Sequence, residues 1–214
     1  MTDDLKFFEN LRAMTKVAFS NSPVYKNQIE KKEQLGFSIC GNPIQRGKGI
    51  LFGINWGGRG EYAEQSEMPP GDDILSYNFI QRTLPFCEKY LSLKLDETNF
   101  NYTNLCFFRT PDINSLSFAD YECSYPLFKK YVDYIQPPWI FALGIKSYDI
   151  LVDLKAISSL DKLYDSEEKY YGVTGKFLKY NFYAVPHPNA HLKAKSRNEI
   201  WEQVGKQFMN GMIK

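Results

Sequence analysis

At 214 residues, 43% hydrophobic and 24% charged, the chain has room for one sizeable core and the composition of an ordinary globular domain, which excludes a disordered or fibrous protein. A formal net charge of +1 excludes the broadly basic surface of a protein held to nucleic acid by charge alone, so any such role needs a local positive patch. Cys40, Cys87, Cys106 and Cys123 form no Cys-x-x-Cys pair, which argues against a zinc ribbon or a disulfide framework and fits a reducing cytosol.

Leu5, Phe8, Leu11 and Met14 recur at helical spacing behind Asp3 and Asp4, predicting a helix that ends before Ser22-Pro23. The start of the chain lacks the basic opening and apolar core of a signal peptide. No apolar run approaches the roughly 20 residues of a membrane span, so a soluble, cytoplasmic protein is expected. A second, shorter helix around Tyr25 to Leu35 makes residues 1–48 a helical region packed on one domain, 1–214.

Gly49 to Asn55 reads as a strand covered on both faces. The chain then turns into Trp56-Gly57-Gly58-Arg59-Gly60, where glycines permit close approach of a ligand. Glu61 to Asp73, polar and carrying Pro69-Pro70-Gly71, predicts a long loop or lid, and Ile74 to Tyr90 has helical spacing. Phe100 to Phe108 is a second strand, ended by Arg109-Thr110-Pro111. A helix near Tyr125 to Ile135 stops at Pro137-Pro138, a third strand spans Trp139 to Leu143, and a helix follows near Ser147 to Leu154. The charged segment Ser158 to Tyr171 reads as a surface excursion, and Phe177 to Val185 as the last strand. Ser196 with Glu199 has the capping-box spacing that would open a C-terminal helix.

Strands alternating with helices indicate an α/β fold with a four-stranded, mainly parallel sheet, and such sheets bind ligands beyond the carboxyl ends of their strands. Asn55, Trp56, Gly57, Arg109, Gly144 and His187 each follow directly on a predicted strand or close it, and Asn104 lies late within one. They are expected at one edge of the sheet. His187 stands between two prolines and is followed by Lys193, Lys195 and Arg197 at a predicted helix start, a combination suited to an anion. His191 makes a metal pair with it only on a helix, which Pro188 opposes, so no metal and no cofactor are expected.

The order Gly53-Ile54-Asn55-Trp56-Gly57, Tyr102-Thr103-Asn104-Leu105, Ala142-Leu143-Gly144 and Pro186-His187-Pro188-Asn189 resembles the uracil-DNA glycosylase superfamily, most closely its mismatch-specific and single-strand-selective branches. The resemblance runs from about Gly49 to Phe208. It implies a three-layer αβα sandwich and hydrolysis of a base–deoxyribose bond in DNA by base flipping. Asn55 would hold the attacking water, and His187 would donate to the departing base. Gly53, Ile54, Trp56, Gly57 and Asn104 would contact that base, with Phe107, Phe108 or Trp56 stacking on it. Lys193, Lys195, Ser196 and Arg197 would hold phosphates of DNA, the implied partner of a monomeric protein.

This chain departs from the pattern. Trp56 stands where the motif has proline, the first motif has no aspartate to activate water, and Gly57 occupies the place of a methyl-excluding tyrosine. The cysteines do not match those of the iron–sulfur branch. Two alternatives stay open: a protein of this fold that binds a base, nucleotide or DNA without turnover, and a hydrolase of free nucleosides or nucleotides. Asn55 also suits a plain turn, and Asn104 a buried strand position satisfied by backbone.

Overall fold

A computed structural model describes residues 2–31, 36–57, 64–68, 73–111 and 113–212. The helices are α1 (Asp3–Asn21), α2 (Pro23–Lys31), α3 (Asn78–Leu91), α4 (Phe118–Ile135), α5 (Ile145–Asp153) and α6 (Ala194–Met212). The strands are β1 (Gly49–Trp56), β2 (Phe100–Arg109), β3 (Trp139–Leu143), β4 (Ile157–Tyr164), β5 (Tyr171–Phe177) and β6 (Tyr180–Val185). They form one mixed six-stranded sheet in the order β2-β1-β3-β6-β5-β4. β2, β1, β3 and β6 are mutually parallel, while β5 pairs antiparallel with β6 and β4 antiparallel with β5.

The fold is therefore α/β, but the sheet is wider than the four strands expected. Residues assigned to a surface excursion form β4 and begin β5. β4 is an edge strand with nearly every side chain exposed, so no alternation of apolar and polar residues marks it in the sequence. The run expected as one strand from Phe177 is instead broken by a turn at Leu178-Lys179. Leu178 holds a left-handed φ of 54° there without the Asn-Gly or Asp-Gly signature of tight hairpins.

Alternation along β1 divides the interior. Ile50 and Phe52 enter a cluster with Phe8 and Leu11 of α1 and Phe128 of α4, whereas Leu51 enters one with Ile80 of α3 and Trp201 of α6. Helices thus cover both faces of the sheet, which is why β1 and β3 read as uninterrupted apolar runs. α4 begins earlier than its apolar spacing suggested, because Asp120 Oδ2 accepts the Ser117 N–H (2.8 Å) and O–H (2.6 Å) at its first turn. Asp120 Oδ1 also takes the Val24 N–H at 2.8 Å, tying α2 to α4. α6 starts at Ala194, so Ser196 sits inside its first turn and is no cap; Glu199 accepts from Ser166 instead.

Residues 32–35 of the expected second helix, Gly58, Arg59 and Gly60 of the glycine turn, and much of the expected lid lie outside the described residues. No helix among the described residues is long and apolar enough to cross a membrane. From β1 the chain passes to β2 on one side and later to β3 on the other. That reversal opens a crevice at the carboxyl ends of the strands.

Candidate functional site

A cavity of about 490 Å³ occupies that crevice, within the roughly 300–1,000 Å³ typical of small-molecule sites. β1 contributes Gly53, Ile54, Asn55 and Trp56, with Gly57 just beyond it. β2 contributes Tyr102, Asn104 and Arg109; the turn after β6 contributes His187. Tyr77 and Phe79, at the start of α3, close the remaining side. None of the described residues lining it is a carboxylate.

The pairing of β1 with β2 sets the two asparagines. Gly53 lies opposite Asn104 in the ladder, and a Cβ on Gly53 would collide with Asn104 Oδ1 and come within 3.0 Å of the Tyr102 hydroxyl. Glycine is needed here because the neighbouring strand's amide occupies the space a side chain would take. Asn104 is 2% exposed; its Oδ1 accepts from the Tyr102 hydroxyl at 3.3 Å. Its Nδ2 has no hydrogen-bond partner among the described residues and lies on the cavity wall, open to an acceptor in the cavity.

Between Asn55 and Trp56 the register of β1 on β2 shifts by a bulge. Beyond it, Asn55 Nδ2 donates to Thr110 Oγ1 at 2.6 Å. That commitment fixes the amide and leaves Oδ1 as the group that can accept a proton from water. Thr110 is itself buried and held by its N–H on the Trp56 carbonyl at 3.1 Å.

His187 is oriented by its own turn. Its Nδ1 accepts the Asn189 N–H at 3.1 Å and its carbonyl accepts the Ala190 N–H at 2.8 Å. With Nδ1 an acceptor, the neutral ring must carry its proton on Nε2 and is a donor there. Desolvation pulls its pKa below the ordinary 6.5, so the ring is neutral at physiological pH even though solvent reaches part of it from the cavity mouth. Two further contacts brace the turn: Arg82 donates to Asn189 Oδ1 (2.8 Å) and Arg197 to the Ala190 carbonyl (2.7 Å). Below it, Gly144 holds a φ of 139°, a conformation that glycine supplies without strain, and donates its N–H to the Val185 carbonyl at 2.9 Å.

Trp56 forms a wall and does not fill the cavity. It is 7% exposed, meets Tyr102 edge-on with ring centroids 5.6 Å apart, and has the Arg109 guanidinium 6.0 Å from its ring centre. Its indole N–H has no hydrogen-bond partner among the described residues.

The aromatic assignments need correction. Phe107 does not reach the cavity: it is fully buried on the opposite face of β2, its ring against Tyr131 and its N–H on Ser124 Oγ. Phe108 is likewise buried, against Phe19. Among the described residues, the Tyr, Phe and Trp rings at the cavity are Tyr77, Phe79, Tyr102 and Trp56. The expected phosphate-binding residues stand apart from it. Lys193 pairs with Glu167 at 3.1 Å and Lys195 with Glu199 at 3.7 Å. Ser196 is buried, and Arg197 is committed to the Ala190 carbonyl. Both lysine pairs are exposed, so opening them costs little. His191 is exposed, and no group of three or more His, Cys, Asp or Glu among the described residues could hold a metal ion.

The site thus offers the Asn104 amide donor, amide acceptors on Asn55 Oδ1 and on the second lone pair of Asn104 Oδ1, and one imidazole donor around a cavity with aromatic walls. Compared with known protein families and with curated proteins, the chain matches no family model and no curated sequence.

Proposed function

We propose that the cavity receives a single base turned out of a DNA strand, and that the protein hydrolyses the N-glycosidic bond of uracil or a related damaged base. The scaffold would be the three-layer αβα sandwich of the uracil-DNA glycosylase superfamily. Asn104 reads the Watson–Crick edge: Nδ2 donates to a ring carbonyl, and Oδ1 accepts from the neighbouring ring N–H. Asn55 Oδ1 holds a water on the sugar side. Water oxygen bonds to C1′ as the C1′–N1 bond breaks, and the bonding pair leaves with the base, spread onto its O2. His187 Nε2–H donates to that oxygen as its charge develops, which is where a fixed donor lowers the barrier most. The water proton passes to solvent or to the departing base. The reading takes the protein to be a cytoplasmic monomer with DNA as its partner.

One observation carries this reading: Asn55, Asn104 and His187, far apart in the chain, line the same cavity, each with the hydrogen-bonding group its role requires left available. A gel assay for abasic sites on uracil-containing single- and double-stranded DNA tests it. Cleavage confined to the uracil position supports it; intact strands for uracil, hypoxanthine and mismatched bases at excess protein overturn it.

A second reading is a protein that binds a base without turnover. The lack of a carboxylate among the described cavity residues favours it, since nothing there draws a proton strongly from water. Saturable binding of uracil-containing DNA with no base release would select it.

A further inference from the structure

We propose that a second cavity, on the far side of His187, is a subsite for the base adjoining the extruded one, so that the substrate is a strand with a base beside the target and not a free nucleoside. This rests on the reading of the main cavity as a base pocket. The second cavity measures about 330 Å³. Lys169 and Tyr170 of the β4–β5 connection and Tyr171 at the start of β5 line one side, and Pro186, Ala190 and Leu192 of the His187 turn the other. His187 lines both cavities. Groups bound in the two are therefore separated by one imidazole ring, a spacing that adjoining nucleotides of an opened strand can span.

The lining chemistry suits a base. Half-buried Tyr170 offers a π face, and stacking on such a face tolerates any base sequence, while Tyr171, with the Lys162 ammonium 4.5 Å from its ring centre and the Tyr164 ring at 5.4 Å, serves as the wall beside it. The Lys169 ammonium lies 5.3 Å from the centre of the Tyr170 ring and is exposed, beside the path that a linking phosphate would take. The wall is also fixed in advance. Asp165 Oδ1 accepts the N–H groups of Lys169 (2.8 Å) and Tyr170 (3.0 Å), and Ser166 donates twice to Glu199 of α6. Lys193 pairs with Glu167 across the same gap. A preordered wall spares the ligand the entropy of ordering it.

The test uses single-stranded oligonucleotides with one deoxyuridine and, one at a time, an abasic analogue on either side of it. Free deoxyuridine is the reference. For the wild type, an abasic neighbour on one side should lower kcat/KM about five- to a hundredfold, the range of a single base stack. Tyr170→Ala should show that loss on the normal strand and no further loss on the abasic one, whereas Tyr170→Phe, which keeps the ring, should behave as wild type. Equal kcat/KM on all strands, or on free deoxyuridine, overturns the subsite while leaving the glycosylase reading intact. Should no strand release its base, the glycosylase reading fails separately. Fluorescence anisotropy with the same strands then decides: weaker binding without the neighbouring base supports the subsite, and equal binding removes it.

Discussion

Replacing His187 by alanine removes the one imidazole donor at the cavity while leaving the strands beneath it untouched. Nδ1 is committed to the Asn189 N–H, so the Nε2–H is the proton available to a leaving base. Loss of one such preorganised donor lowers kcat about 10²- to 10³-fold. KM should change far less, because the donor matters chiefly as charge builds on the base. The pH profile sharpens the test. A histidine whose pKa is lowered stays neutral down to a pH below 6.5. Protonation below that would set an Nδ1–H against the Asn189 N–H and break the turn's contact. Wild-type kcat should therefore fall on acidification through the folded-state pKa, below 6.5, and His187→Ala should lack that limb. Stability follows the same sign. The unfolded chain takes up the proton first, so this contribution to stability is lost as pH drops below about 6.5, in the wild type and not in the variant. Single-turnover base release across pH measures the rate effect, and urea denaturation across pH the stability effect. A His187→Ala rate within threefold of wild type, or a wild-type limb centred above pH 6.5, refutes the assigned role.

Thr110→Val keeps the shape of the residue but removes the acceptor of the 2.6 Å bond from Asn55, and loss of one hydrogen bond of ~0.5–1.5 kcal/mol should lower kcat roughly two- to twelvefold with the fold intact. Gly53→Ala puts a methyl group into Asn104 Oδ1; base binding should weaken at least tenfold by fluorescence titration (~1.4 kcal/mol), with the far-ultraviolet circular dichroism unchanged. Asp120→Ala strips the first turn of α4 and leaves the buried Val24 N–H unpaired, which should cost about 2–4 kcal/mol in urea denaturation.

The parts of the site carried by parallel strands were legible because their physics is local. β1, β2 and β3 are apolar runs punctuated by Gly49, Asn55 and Gly144, and the ends of parallel strands must meet at one edge. That alone predicts that Asn55, Asn104 and His187 lie close. Strand geometry itself separates Phe107 from Asn104: side chains alternate along a strand, so residue 107 faces away from residue 104. Tyr77 and Phe79 could not be read out, since packing, not periodicity, brings the start of α3 over the cavity. The same holds for Lys193, whose partner Glu167 sits in a connection between two strands that the sequence did not reveal.

The central claim is that water replaces a base held between Asn55, Asn104 and His187. A single-turnover reaction in heavy-oxygen water, with protein in excess over a deoxyuridine-containing strand, tests it directly. The expected products are free uracil and, in equal amount, an abasic strand whose sugar carries the heavy oxygen, both lost together in His187→Ala. A strand that binds and keeps its uracil throughout would contradict it.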